Sequence, residues 1–231
     1  MKVNHNAWIK AVIWVIFCYS IESYGNIIRT IKIDTSPLID HVAGPFSLNF
    51  QLTDGEGIGD GNTIVTLDHF DFGGGSIIGS PTLLGNVSDF LPSSISFTDG
   101  QFFNAFTQGF LPGSELSFNL TATESIDPNG TPDQFSLAIL DSTGAELPTL
   151  GFFDAFLVLD FDALNPPAQT FGSDISRTPH GGGSSINITA PTIKEGRTVP
   201  IIGTISLFLI GFSVLIFSAR NGPLFRAGKF P

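Results

Sequence analysis

The chain alternates apolar and polar residues over short runs, which is the pattern of half-buried β-strands. The clearest runs are FSLNFQL (Phe46–Leu52) and SELSFNLTAT (Ser114–Thr123), in which every second side chain is apolar. Clusters of glycine, proline and asparagine separate such runs, and no helical period is sustained between residues 27 and 161. The pattern therefore predicts an all-β body.

About eight such strands fit into this stretch, which favours an antiparallel β-sandwich or jelly roll, with a closed barrel as the alternative. Two parts of the pattern are ambiguous. Phe102–Phe110 fits either a strand or a helical turn, and Ile77–Leu91 has no clear period between its prolines. The other predicted strands are Ile27–Asp34, Thr63–Phe70, Ile95–Phe97, Phe135–Asp141 and Ala155–Phe161.

The longest apolar run lies near the carboxyl end. Val199–Ala219 contains 13 Val, Ile, Leu and Phe residues among its 21 and no charged residue. A helix of this length is about 30 Å long, which matches the hydrocarbon core of a bilayer. We expect one C-terminal transmembrane helix at 199–219 and a short basic tail at 220–231, and a buried core helix is the alternative.

The first 25 residues have the three parts of a signal peptide. Two lysines supply the positive charge, and Ala11–Tyr19 is the apolar core. Ser23 and Gly25 are small residues at the −3 and −1 positions of a cut before Asn26. An uncleaved anchor is the alternative. Both Trp, both Tyr and the single Cys lie inside residues 1–25, so a mature chain that begins at Asn26 contains none of them.

Between these two segments we expect an exported β-sandwich ectodomain at 26–163 and a Gly/Ser/Pro-rich stalk at 164–198. The stalk is predicted from Asn165-Pro166-Pro167 and from the run GGGSS at 181–185, a composition typical of flexible linkers. The run SSINITA, which ends at Ala190, is an alternative last strand.

Acidic residues dominate the body. No Lys or Arg occurs between Ile33 and Ser176, whereas 19 Asp and Glu do. Because such a surface repels phosphate backbones, we expect no nucleic-acid partner. The same surface favours solubility outside the cell. Collection of divalent cations is one further expectation, and a plain solvated acidic surface is the alternative.

These features together resemble the PEP-CTERM class of exported bacterial proteins: a signal peptide, an acidic β-rich body, and Val199-Pro200 followed by an apolar helix and Arg220. The body also resembles one uncharacterised β-rich PEP-CTERM family. The matching stretches are Phe106–Thr121, Phe135–Gly144 and Phe156–Asp162.

The resemblance implies a membrane-anchored, cell-surface or extracellular location in a bacterium, reached through the secretion machinery. It also implies sorting by an exosortase-type enzyme that reads Val199, Pro200 and Arg220. The family's motif is Val-Pro-Glu-Pro, whereas Ile201 and Ile202 follow Pro200 here. Two outcomes stay open: the enzyme removes the helix, or the helix remains as a permanent anchor in the membrane.

A glycine-rich loop, DGEGIGDGN, carries the candidate metal ligands Asp54, Glu56, Asp60 and Asn62. Calcium takes about six to eight oxygen ligands, and carboxylates are the side chains that it prefers. The loop has Ile58 where an EF-hand needs an oxygen ligand, so a plain surface loop is the alternative. No other cofactor is predicted.

The chain has no recognisable catalytic motif, since neither GxSxG nor HExxH occurs. We therefore expect a non-enzymatic envelope or extracellular-matrix protein, delivered or tethered through its C-terminal helix. One alternative is a secreted glycan-binding sandwich, assisted by calcium, with polysaccharide as its partner. Another is an envelope hydrolase that uses paired carboxylates such as Asp160 and Asp162.

Overall fold

A computed structural model of the chain describes residues 27–55, 57, 59, 61–123, 131–161 and 167–197. These residues form twelve β-strands and two short 3₁₀ turns, and none of them lies in an α-helix. The expectation of an all-β body is therefore confirmed. The strands are β1 (Ile27–Asp34), β2 (Phe46–Thr53), β3 (Ile64–Asp71), β4 (Ser76–Leu84), β5 (Val87–Ser88), β6 (Ser94–Thr98), β7 (Phe103–Leu111), β8 (Glu115–Ala122), β9 (Gln134–Leu140), β10 (Leu157–Asp160), β11 (Ala168–Thr170) and β12 (Thr192–Arg197).

The strands form two six-stranded sheets in which every pair is antiparallel. The order is β12-β1-β8-β3-β6-β5 in the first sheet and β11-β10-β9-β2-β7-β4 in the second sheet. From β1 to β4, each strand lies in the opposite sheet from the one before it, so the chain builds both sheets together. The described residues thus form a sandwich-like pair of sheets rather than the closed barrel of the alternative prediction.

The two sheets pack face to face through phenylalanine side chains. Phe50 of the second sheet lies 5.5 Å from Phe118 of the first, ring centre to ring centre, with the planes at 86°. Phe97 of the first sheet lies 5.9 Å from Phe135 of the second at 71°. Edge-to-face contact is a geometry that aromatic pairs favour. All four rings are buried, so the alternating apolar residues of the strands meet in one core.

The ambiguous stretch Phe102–Phe110 forms strand β7, which lies between β2 and β4. Its pattern is ambiguous because Asn104 and Gln108 interrupt the apolar side of the strand. Both side chains are buried and bond to backbone: Gln108 Nε2 donates to the Ile78 carbonyl at 2.6 Å, and Asn104 Oδ1 accepts from the Asn86 amide at 2.7 Å. Buried polar groups are tolerated when they are hydrogen-bonded in this way.

The other ambiguous stretch, Ile77–Leu91, contains most of β4 and all of β5. Its period is unclear because the pairing of β4 with β7 shifts register between Ile78 and Thr82. A bulge of this kind moves side chains from one face of the sheet to the other, so alternation is lost in the sequence although the strand continues.

The prediction of a stalk at 164–198 is corrected by the structure, because residues 167–197 belong to the sandwich and extend it beyond the predicted end at 163. Strand β11 pairs with β10, and β12 pairs with β1. Ile186 and Ile188, from the run SSINITA, are 5% and 1% exposed and lie in the common core. The last strand is therefore Thr192–Arg197, just after the run that was the alternative.

The glycines that indicated flexibility instead allow close packing. A Cβ on Gly181 would lie 2.8 Å from the carbonyl oxygen of Ala43. The Gly181 amide donates to the Asp141 carboxylate at 2.6 Å, which ties this turn to the end of β9. Gly183 has a φ of +89°, which other residues rarely adopt. Composition alone does not distinguish these glycines from those of a linker.

The first and last strands lie side by side, with Ile27 as the register partner of Arg197. The chain therefore enters and leaves the sandwich at adjacent positions. The predicted signal peptide, its cleavage residues Ser23, Gly25 and Asn26, and the helix predicted at 199–219 lie outside the described residues. In the part that is described, no helix is long and apolar enough to cross a membrane.

Candidate functional site

A polar surface covers the outer face of the second sheet where β2, β9 and β10 lie together. In one row across these strands, Gln51 pairs with Ser136, and Ser136 pairs with Val158. In the next row, Thr53 pairs with Gln134. These residues face outward because they alternate with the apolar residues that fill the core. Cross-strand neighbours lie about 5 Å apart at their Cβ atoms, so the row presents closely spaced amide and hydroxyl groups.

The segment between β9 and β10 lies beside this surface, and the two together form a groove. Glu146, Phe153 and Ala155 come from this segment and line the groove together with the strand residues. Ala138 and Ala155 are buried and small, so they leave space at the floor. The groove has a volume of about 350 Å³, which lies at the lower end of the range for ligand pockets.

Phe153 lies at the rim of the groove with 75% of its surface exposed. It sits in the turn Phe152–Asp154, and both Phe153 and Asp154 have a positive φ, of 57° and 49°. A non-glycine residue in this conformation costs free energy, of order 1–3 kcal/mol, and persists only where surrounding contacts impose it. Burial of the ring does not supply this compensation, because the ring is exposed.

Asp154, the residue next to Phe153, makes contacts that hold the turn. Its Oδ2 accepts from Nη1 of Arg177 at 3.1 Å, and its Oδ1 accepts from Nη2 of Arg177 and from the Thr149 amide. Arg177 Nη2 also donates to the Thr149 carbonyl at 2.8 Å, and its Nε donates to Asp174 at 2.9 Å. One guanidinium thus joins the two ends of the turn and holds Phe153 at the rim.

A second carboxylate fixes the other end of the same segment. Asp141 Oδ1 accepts from the Thr143 amide and hydroxyl at 2.8 and 2.6 Å, and its Oδ2 accepts from the Gly181 amide. Although burial alone would raise the pKa of Asp141, the hydrogen bonds from Thr143, Gly181 and Ala145 hold it below its usual value. The turn that follows Asp141 is therefore stabilised by the ionised form of this carboxylate.

Glu146 in the groove and Asp154 in the turn have carboxylates whose pKa values move in opposite directions. Burial raises the pKa of Glu146, and the negative charge of Asp154 raises it further. Burial would also raise the pKa of Asp154, but the hydrogen bonds from Arg177 and Thr149 outweigh it and lower the value. Pairs of carboxylates whose pKa values are shifted in opposite directions occur at the active sites of enzymes that use acid–base catalysis. Here, however, both oxygens of Asp154 already accept hydrogen bonds, so its carboxylate is committed to holding the turn.

The loop of candidate metal ligands is organised around Asp54 in the part that is described. Asp54 is buried, and its two carboxylate oxygens accept from the amides of Gly57 and Gly59 at 2.8 and 2.5 Å. Both glycines have a positive φ, which lets their amides turn toward one side chain. Asn62 accepts from the Thr63 hydroxyl at 3.0 Å. Asp54 thus acts as the organiser of the loop.

Glu56 and Asp60, the other candidate ligands, lie outside the described residues, so calcium binding stays a prediction. Among the residues that the structure does describe, no three His, Cys, Asp or Glu side chains come together as a metal site. Val199, Pro200 and Arg220, the predicted sorting residues, also lie outside them. Asp160 accepts from Gln134 at 2.7 Å beside the groove, whereas Asp162 is not described.

Sequence reasoning missed Phe153 and Arg177, the two residues that define the groove and its turn. Phe153 precedes the alternating run of β10, so its role is not visible in a search for strands. Arg177 carries a signal that could have been used: it is the first Lys or Arg after Lys32. A lone cation in so acidic a stretch indicates a specific carboxylate partner.

The comparisons with known proteins give no relative for this fold or this groove. No protein-family model, no curated protein and no solved structure matches the chain.

Proposed function

We propose that this chain is a non-enzymatic, exported envelope or matrix protein of a bacterium, delivered or tethered through its C-terminal helix. The resemblance to PEP-CTERM proteins and the predicted signal peptide and helix support the proposal. In it, secretion machinery and an exosortase-type enzyme handle the two ends of the chain, and the sandwich is the part displayed outside the membrane.

The observation that carries this proposal is that the sandwich extends from Ile27 to Arg197, between the two predicted end segments. The sandwich begins just after the predicted cleavage before Asn26 and ends just before the predicted helix at 199–219. Signal peptide removal would leave every described strand intact. After that removal the chain would continue to the predicted helix only from Arg197, so the sandwich would be attached through its carboxyl end, as expected of a displayed domain.

The hydrogen bonds that the Asp154 carboxylate accepts support the proposal that this protein is not an enzyme. A glycoside hydrolase needs two carboxylates that are free to reach the substrate. Glu146 lines the groove, whereas the carboxylate of Asp154 already accepts hydrogen bonds from Arg177 and Thr149. This arrangement supports a binding role for the groove in preference to hydrolysis.

We also propose that the fold is a jelly roll with four added strands. The order β1-β8-β3-β6 in one sheet, opposite β2-β7-β4 in the other, is the interleaved order of seven of the eight strands of two Greek keys wound together. The eighth strand, β5, departs from that order, because it pairs with β6 in the first sheet instead of β4 in the second. In this view β9, β10 and β11 extend the second sheet beside β2, and β12 extends the first beside β1.

The proposal is tested by separating the membrane, periplasmic and culture fractions of a bacterium that produces the full chain. We expect the chain in the envelope or medium, and we expect deletion of residues 199–219 to remove it from the membrane fraction. A matched control deletes residues 222–231, which leaves the helix intact. A wild-type chain found in the cytoplasm, or a location unchanged by loss of 199–219, would contradict the proposal.

A further inference from the structure

We infer that the groove on the second sheet is a binding site for a neutral polysaccharide, with Phe153 as the platform for a sugar ring. This inference names a ligand for the protein of the proposed function. It rests on the proposed function only for the place in which the protein would encounter that ligand. Three features carry the inference: the exposed aromatic ring, the row of uncharged polar groups, and a charge of one carboxyl and no cation among the described lining residues.

The turn of Phe153 holds an exposed aromatic ring at the rim of the groove in a strained backbone conformation. A phenylalanine is normally buried, and here its ring stands 75% exposed in a left-handed turn that Arg177 and Asp154 impose. Strain of this kind gathers at ligand-binding sites. The C–H groups on one face of a pyranose ring form an apolar surface, which packs on an aromatic face.

The sheet beside the ring offers the hydrogen-bonding groups that sugar hydroxyls need. Gln51 and Gln134 carry amides with both donors and acceptors, and Thr53 and Ser136 carry hydroxyls. Gln134 Nε2 is oriented by its bond to Asp160 at 2.7 Å. Within the described part of the chain the Gln51 side chain makes no hydrogen bond, so it can bond fully to a ligand.

The charge of the groove indicates a neutral rather than an acidic polysaccharide. Among the described residues, its lining contains Glu146 and neither Lys nor Arg. The guanidinium of Arg177 donates to Asp154, Asp174 and the Thr149 carbonyl, so carboxylates of the protein already pair with its charge. A uronate, sulfate or phosphate group would meet the carboxyl of Glu146 without a cation among these lining residues, whereas a neutral glycan would meet hydrogen-bonding partners.

The test is affinity electrophoresis of the purified full chain in mild detergent, through native gels that contain dextran, galactomannan or a mixed-linkage β-glucan. Alginate gels supply an acidic polysaccharide, and gels with an immobilised uncharged peptide supply a different class of polymer. The variants are Phe153→Ala, Phe153→Trp and Gln51→Met. The matched control is Phe102→Ala, because Phe102 is also exposed, at 60%, but does not line the groove.

We expect at least one neutral polysaccharide to retard the chain. Phe153→Ala should weaken binding about tenfold or more, as removal of a central aromatic contact does, whereas Phe153→Trp and Phe102→Ala should leave it within about twofold. Gln51→Met should also weaken binding, which keeps the test valid if Phe153→Ala does not fold. No retardation by any neutral gel, equal losses in Phe153→Ala and Phe102→Ala, or retardation only by alginate or peptide overturns the inference. A cytoplasmic location would overturn the proposed function without affecting this result.

Discussion

Arg177 binds Asp154 through both of its terminal nitrogens, with Nη1 donating to Oδ2 at 3.1 Å and Nη2 donating to Oδ1. This bidentate pair spans 23 residues of chain and joins the segment before β12 to the turn that carries Phe153. Arginine suits this task because its planar fork matches the two oxygens of a carboxylate. The pair thus connects the part of the sandwich that resembles a linker in sequence to the rim of the groove.

Loss of this pair should loosen the turn without unfolding the sandwich. We expect Arg177→Met to increase hydrogen exchange at the amides of Thr149 and Gly151, which depend on the same turn. Arg177→Lys should restore only part of the protection, because an ammonium group cannot bond both oxygens in the same geometry. The measurement is amide exchange by mass spectrometry or NMR. Unchanged exchange at these two amides in Arg177→Met would contradict this role.

Acid should destabilise the sandwich through its carboxylates that accept hydrogen bonds. The pKa values of Asp141, Asp154 and Asp174 lie below their usual range, so below about pH 4 the unfolded chain binds more protons than the native chain. The stability they provide is full above the ordinary aspartate pKa and is lost as the pH falls through the lowered values. Thermal melts from pH 2.5 to 6 should show this loss, and Asp141→Asn should reduce its slope.

Glu146 should act in the opposite direction. Because burial raises its pKa in the native chain, its ionisation costs the native state more than the unfolded state as the pH rises through that value. Glu146→Gln removes this cost. We therefore expect the variant to gain thermal stability relative to wild type at pH 7 but not at pH 3.5. An equal change at both pH values would show that the carboxyl acts through packing rather than through its charge.

The sequence predicts the strands well where nearly all residues on the buried face of a strand are apolar. Ile27–Asp34 is predicted with the bounds that the structure has, and Phe46–Leu52 differs from β2 by one residue. Prediction from the sequence fails where a tertiary contact requires a residue that breaks the apolar alternation. At β7, Asn104 and Gln108 replace apolar residues because they satisfy backbone groups of neighbouring segments, and such partners cannot be read from one strand.

The groove could be predicted only in part. Alternation predicts that Gln51, Thr53 and Ser136 face away from the core, but it does not show that β2 lies next to β9. That pairing connects residues about 85 positions apart, such as Gln51 and Ser136. Phe153 could not be predicted as exposed, because 23 phenylalanines are present and most of those described lie in the core. Its exposure depends on a turn that a distant arginine imposes.

Gly151 tests how closely the turn packs on the segment after β11. A Cβ at this position would lie 2.5 Å from a ring carbon of Phe171 and 3.0 Å from the Ala155 carbonyl oxygen. We expect Gly151→Ala to destabilise the protein by about 1–3 kcal/mol, since neither the ring base nor the backbone can move freely. Gly196→Ala is the control, because its nearest contact is an ordinary 3.7 Å from Ile28. Urea unfolding of both variants checks the difference, and equal midpoints would contradict it.

Phe50 tests the interface between the two sheets. Its ring contacts Phe118 of the opposite sheet and Phe135 of its own, and it is fully buried. Phe50→Ala should cost about 3–5 kcal/mol, the usual effect of truncating a core aromatic residue. The exposed Phe102→Ala should stay within about 0.5 kcal/mol of wild type. Equal unfolding midpoints for these two variants would show that the core is not where the structure places it.

The most direct test of the account is the intact mass of the chain isolated from the envelope or medium of a producing bacterium, measured with its absorbance at 280 nm. We predict a chain that begins at Asn26 and has almost no absorbance, because every Trp and Tyr lies in residues 1–25. The same spectrum shows whether the segment that follows Thr198 is retained or removed. A mass that includes residues 1–25, accompanied by the absorbance of two Trp and two Tyr, would contradict export through a cleaved signal peptide.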